Sequence, residues 1–213
     1  KLPGHGGTPD PEDFDQPTLD TELALIEQIV AATSDQPLHL VAHSYGGVVA
    51  LALAIKGNLK LSRITLFEPV ATWTVRTFND QPSIDAVNQF YQGYRRAVLD
   101  NETDACSRVI DFWCNAPVYS TLPEFIHDAM RPLTRNNLRH WELCQSIQYS
   151  QADLQDLTMP LRVAHGDRSH PVAAAIARHL CAHTPNSREV VIAGADHFLV
   201  TSHVDQCLAL IRE

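Results

Sequence analysis

The feature that most constrains this chain is a short apolar run that ends in a serine and restarts as a helix. It reads Leu40-Val41-Ala42-His43-Ser44-Tyr45-Gly46-Gly47-Val48-Val49-Ala50. Leu38 to Ala42, bounded by Pro37, suits a buried strand of a parallel sheet. Residues 45–57, rich in Ala, Val and Leu, suit a helix that Gly57-Asn58 stops. A serine at such a junction sits on a sharp turn and projects its hydroxyl above the sheet. The residues two before and two after it, Ala42 and Gly46, are small, which lets strand and helix approach. The backbone N–H of Tyr45, at the helix start, can point at a developing oxyanion. Ser44 is therefore the candidate nucleophile. A bare match to this pattern is common by chance, and a serine that only caps the helix is the plainer reading. The flanking strand and helix favour the functional one.

The rest of the chain extends the same rhythm. Residues 1–17 are rich in Gly, Pro and Asp and read as a loop. Leu19, Leu23, Ile26, Ile29 and Val30 recur at helical spacing over residues 18–33. Ile64-Thr65-Leu66-Phe67 reads as a second strand, ended by Pro69. From 72 to 158 no strand is convincing. Ala86, Phe90, Tyr94 and Val98 keep helical spacing there, and Trp73, Trp113 and Trp141 all fall in this stretch. Alternation then resumes, with a strand at Leu161–Ala164, a helix over 171–183, a strand at Glu189–Ile192 and a helix over 203–212. Strand–helix alternation on both sides of a helical stretch predicts an α/β fold, a mostly parallel sheet covered by helices on both faces. The expected division is a core from residues 1–71 and 159–213, with 72–158 as an inserted helical cap.

Charge and composition narrow the partners. The 213 residues carry a net charge of -9 with no basic run, which argues against nucleic acid and anionic membranes. No apolar run approaches the roughly 18 residues of a membrane span. Cys106, Cys114, Cys144, Cys181 and Cys207 are an odd set with no CxxC pair, as expected of reduced thiols. With no signal peptide visible, the expected location is cytoplasmic, although a chain that starts at Lys1 can have lost an upstream segment.

A serine needs a base near neutral pH. Of the eleven histidines, His197 is the best placed, in the loop Gly194-Ala195-Asp196-His197 between the last strand and the last helix. His43 is a candidate for lining the pocket. His179 and His183, four apart on a helix, have a metal-pair spacing but no third ligand, so no metal and no cofactor is assigned.

Together these segments resemble the α/β-hydrolase fold superfamily. The turn around Ser44 is similar to its G-x-S-x-G elbow, with Ala42 in place of the first Gly. The loop holding His197 resembles the family's G-x-x-H loop. That resemblance implies a Ser–His–acid triad with Ser44 as nucleophile, His197 as base and the Tyr45 N–H in the oxyanion hole. The acid breaks the pattern. The usual G-x-x-D reads Gly166-Asp167-Arg168-Ser169 here, with a serine at the acid's position. Asp167 is two residues early. Glu68, at the end of Ile64–Phe67, resembles an arrangement in which the acid comes from this earlier strand end. Glu68 is the first candidate and Asp167 the alternative; pairing with Arg63 or Arg168 is the plain reading of Glu68.

Leu2-Pro3-Gly4-His5-Gly6-Gly7-Thr8 resembles the family's D-x-P-G-x-G-x-S loop, which normally follows further strands and a His-Gly loop with a second oxyanion donor. Those segments are not in this sequence, which leaves a sheet edge uncovered and predicts weak activity of these residues alone. The resemblance implies hydrolysis of a small, apolar ester or related acyl substrate through an acyl-Ser44 intermediate. Carbon–carbon hydrolases, lactonases, thioesterases and haloperoxidases share the serine turn. A dehalogenase is disfavoured, because that chemistry uses a carboxylate where this chain has Ser44. The rival reading is a non-catalytic binding protein or inactive homologue of the same fold. Oligomeric state is not legible.

Overall fold

The computed structural model describes residues 2–5, 7–33 and 35–212. Lys1, and Gly6 of the front loop, lie outside them. Four parallel strands form one sheet in the order β1 (Leu38–His43), β2 (Leu61–Phe67), β3 (Leu161–Gly166) and β4 (Ser187–Ile192). Spatial order follows chain order, so every connection is a crossover to the next strand, and each carries at least one helix.

The first crossover is α2 (Tyr45–Lys56), preceded by α1 (Asp20–Thr33). Helix α2 buries Val48 through Ala54 without a break, because it is rich in small and branched apolar residues all round. It ends at Gly57 in the left-handed region (φ 74°), whose N–H donates to the Leu53 carbonyl, as the Gly-Asn stop signal predicts. Helix α9 (Pro171–His183) links β3 to β4 and starts at its proline, again as read from the sequence.

Strand periodicity divides the core. Ile64 and Leu66 of β2 and Leu161 and Val163 of β3 join the large cluster with α2 and α9. Phe67 and Ala164 point the other way, toward α10 (Leu199–Ser202) and α11 (Val204–Arg212). Strand β1 lies at the sheet's edge, and Val41 on its second face is 44 % exposed.

Between β2 and β3 the described residues form helices and turns and no strand. These are α3 (Trp73–Thr77), α4 (Gln81–Leu99), α5 (Ser107–Cys114), α6 (Glu124–Met130), α7 (Thr134–Ser146) and α8 (Gln151–Gln155), with 3₁₀ turns at Tyr119–Thr121 and Arg131–Leu133. Trp113, Trp141 and Tyr94 pack into the large cluster from this region. A buried ion pair ties it to the front of the chain. Arg139 of α7 donates to Glu22 of α1 at 2.7 Å and to Asp13 at 2.9 Å. The five cysteines are free thiols, and no helix among the described residues is long and apolar enough to cross a membrane.

Candidate active site

The carboxyl ends of all four strands meet at one place, the side on which open parallel sheets bind ligands. Ser44 leaves β1, Glu68 leaves β2, Gly166 ends β3, and His197 follows β4.

Ser44 holds φ 54° and ψ −126°, a conformation that costs a non-glycine residue roughly 1–3 kcal/mol. Neighbouring backbone fixes the strained turn. The Ser44 N–H donates to the Phe67 carbonyl at 3.0 Å, and the Ser44 carbonyl accepts from Gly47 and Val70. The small-residue requirement falls differently from the sequence expectation. A methyl on Gly46 would meet only the Ala42 side chain, at 3.8 Å, whereas one on Gly47 would sit 2.6 Å from Pro69. The obligatory glycine is therefore Gly47, and Ala42 is easily housed.

His197 joins the serine to a carboxylate. Its Nε2 lies 3.0 Å from Ser44 Oγ and its Nδ1 lies 2.7 Å from Glu68 Oε2. An ionised carboxylate only accepts, so Nδ1 carries the proton and Nε2 is left to accept the Ser44 hydroxyl proton. Glu68 is 1 % exposed. Its second oxygen, Oε1, accepts from the Gly166 N–H at 2.7 Å and from the Ser169 hydroxyl. Burial, the largest single effect, works against ionisation. The hydrogen bond and charge of His197, with the Gly166 and Ser169 donors, outweigh it and hold Glu68 below its ordinary value. Gly166 leaves no room for a side chain, since a Cβ there would collide with the Ala195 carbonyl.

Of the two candidate acids, Glu68 is thus the one in contact with the imidazole. Asp167 is exposed and its carboxylate accepts from the Gly194 N–H at 2.7 Å, bracing the loop that carries His197. Neither arginine partner considered for Glu68 is among its hydrogen-bond partners. Ser169, which stands where the acid was expected, donates to the Glu68 carboxylate instead. Tyr45 is the first residue of α2, a position whose N–H has no intrahelical acceptor.

The remaining histidines divide clearly. His43 Nε2 lies 2.9 Å from the His197 carbonyl, and since a carbonyl only accepts, the His43 ring donates. Burial, then the charge of His197, pushes its pKa down to about 4. His179 contacts Asp80, and His183 stacks on Phe78. No cluster of three metal-ligating side chains occurs among the described residues. Contacts that the sequence did not signal are the Trp113 ring against His197, at 5.4 Å, and the stack of His5 on His140 on Tyr45.

Two hollows meet at Ser44. The larger, about 330 Å³, is lined by His43, His197, Ile110, Met130, Leu133 and Phe198, among others. The smaller, about 30 Å³, is lined by Tyr45, Val70, Trp113, His140, Trp141 and Cys144. Ser44, Val109 and Asn137 border both.

Residues 1–210 match a family model described as the alpha/beta hydrolase family. No curated protein matches the sequence. Solved structures similar to the whole chain include a lipase-esterase related protein from Clostridium acetobutylicum, at 15% identity and TM-score 0.71, with 100% of this chain and 80% of that one covered. An esterase from Exiguobacterium antarcticum is similar at 13% identity and TM-score 0.66, covering 100% and 80%. An enol-lactonase from Burkholderia xenovorans is similar at 16% identity and TM-score 0.67, covering 99% and 77%. At these identities the likeness is one of fold.

Proposed function

This chain belongs to the alpha/beta hydrolase family, and from that premise we propose that it is a serine hydrolase that cleaves a carboxylic ester or related acyl substrate through an acyl-Ser44 intermediate. The observation that carries the reading is the continuous hydrogen-bonded line from Ser44 Oγ through His197 to the buried carboxylate of Glu68.

Ser44 Oγ attacks the substrate carbonyl carbon while its proton passes to His197 Nε2. Glu68 holds the ring in the tautomer that leaves Nε2 free and stabilises the imidazolium that forms. The tetrahedral oxyanion lies against the Tyr45 N–H at the start of α2. When the intermediate collapses, the leaving oxygen takes the proton from His197, and the acyl group stays on Ser44. A water molecule then attacks the acyl carbon and gives a proton to His197, and collapse returns that proton to Ser44 Oγ and releases the acid. No metal or cofactor enters these steps. Ester and lactone cleavage, the activities for which two of the structurally similar proteins are named, are reactions of this same kind.

A fluorophosphonate probe tests the reading. The folded protein should form a covalent adduct at Ser44, lost in Ser44→Ala, and should release 4-nitrophenolate from short esters. A folded chain without adduct or turnover overturns it and favours a binding protein of the same fold.

A further inference from the structure

Resting on the acyl-serine reading above, we propose that the small chamber beside Ser44 is a polar acyl subsite. It would select esters whose acyl group is two carbons long and carries a hydroxyl or other hydrogen-bonding oxygen, leaving the larger chamber for a bulky apolar alcohol.

The direction of binding follows from the proton path. A leaving oxygen must take its proton from His197, and His197 lines the larger chamber and not the small one. The alcohol side of the ester therefore faces Ile110, Met130, Leu133 and Phe198, and the acyl side turns into the small chamber. At about 30 Å³ that chamber holds one or two heavy atoms beyond the carbonyl carbon.

Polarity follows from atoms left without partners. Ten buried side-chain polar atoms have no hydrogen-bonding partner among the described residues. Four of them belong to residues that line this chamber, Asn137 bordering the larger one as well: Tyr45 Oη, Trp113 Nε1, Asn137 Oδ1 and His140 Nε2. Trp113 and His140 are 1 % and 6 % exposed, so neither turns to bulk solvent for a partner. Buried polar groups are nearly always bonded, and leaving one unmade is costly. Four unpartnered atoms on residues around one chamber that Ser44 borders fit a site completed by its ligand. Trp113 Nε1 only donates and Asn137 Oδ1 only accepts, so a hydroxyl, which does both, suits them together. His140, held neutral by burial with its pKa near 3, adds a partner that carries no charge. Sites built to bond a substrate hydroxyl discriminate strongly against the analogue that lacks it.

The test compares 1-naphthyl hydroxyacetate with 1-naphthyl propanoate, which differ by OH for CH₃ in nearly the same volume. Each kcat/KM is divided by the ester's own hydroxide-catalysed rate. The hydroxyacetate should be favoured about tenfold or more, and 1-naphthyl octanoate should fall about 100-fold or more below the propanoate. Trp113→Phe, which removes the N–H and keeps an aromatic ring, should bring the hydroxyacetate preference close to one. Asn137→Leu should lower it as well, and carries the test if Trp113→Phe fails to fold. Damage to the fold alone lowers both esters together and leaves the ratio where it was. Equal corrected rates in the unmodified protein, octanoate cleaved as fast as propanoate, or a ratio untouched in both variants overturns the proposal. If Ser44 still takes the fluorophosphonate label, only this inference falls. A chain that neither takes the label nor cleaves any ester overturns the serine-hydrolase reading and this one with it.

Discussion

At the scale of single residues, Glu68 is where sequence pattern and spatial arrangement part. It adopts φ 44°, a left-handed backbone that a non-glycine residue takes at a cost, and that turn aims its carboxylate back over the sheet. Three donors then meet it: His197, Gly166 and Ser169. Glu68→Gln should lower kcat by about 10⁴ with the fold intact, by analogy with acid-to-amide changes in other triads. Ser169→Ala should cost roughly tenfold in kcat with little change in KM, since it removes one hydrogen bond to a charged group that touches no substrate. Asp167→Asn should change kcat by no more than about threefold, as befits a loop brace away from the imidazole. Ester hydrolysis over a range of substrate concentrations checks all three, and a large loss in Asp167→Asn alone would reassign the acid. Ser44 and His197 were legible from local context, because strand, turn and helix signals surround each. The carboxylate that contacts His197 was legible only as two alternatives. The order Gly166-Asp167-Arg168-Ser169 hides the fact that Ser169 faces the carboxylate across two strand ends, and no local spacing encodes that contact.

At the scale of elements, local chemistry set most of the outline. The α2 and α9 boundaries were readable because a left-handed glycine stops one and a proline starts the other. Strand β2 is longer than Ile64–Phe67, because Leu61 pairs with Leu38 and Arg63 with His39. The ladder, not hydrophobic alternation, carries those first residues into the sheet. The short α10 escaped notice because four residues are too few to show a period. The tight turn at Ser44 makes a paired prediction. Gly47→Ala forces a methyl to 2.6 Å from the Pro69 ring and should destabilise by about 1–3 kcal/mol. Gly46→Ala meets only ordinary contact at 3.8 Å and gains helix propensity, so its stability should stay the same or rise by up to about 1 kcal/mol. Urea denaturation of the two variants reads the difference. Equal destabilisation of both would show that the approach of α2 to the residues after β2 does not limit this turn.

At the scale of the whole molecule, two buried features couple distant parts. One is the pair between Arg139 of α7 and Glu22 of α1, whose side chains are 2 % and 0 % exposed. Arg139→Met strands a buried carboxylate and should cost about 3–5 kcal/mol, whereas Arg139→Met with Glu22→Leu should recover most of it. Urea midpoints of the single and double variants measure this, and a double variant no better than the single would deny the stranded charge. The other feature is the histidines that the fold keeps neutral. Burial is the first cause for both His43, lowered to about 4, and His140, lowered to about 3, from an ordinary 6.5. Between those values the unfolded chain binds protons that the folded chain refuses. Stability is therefore full above about pH 6.5 and falls as the pH drops toward 4, by about 1.4 kcal/mol per histidine for each pH unit. His39 and His170, also lowered by burial, steepen the fall. His127, raised by its bond to the Tyr119 carbonyl and by Glu124, opposes it. Glu68, whose pKa is lowered, extends the loss to more acid conditions once its carboxylate is protonated. Urea unfolding at pH 7.5, 6.5, 5.5 and 4.5 should show the decline, and His140→Phe, which keeps a ring against Tyr45, should make it shallower by its own share. A flat profile from pH 7 to 5, or one that His140→Phe leaves unchanged, would mean that the stack of His5, His140 and Tyr45 opens to water and takes its proton in the folded state.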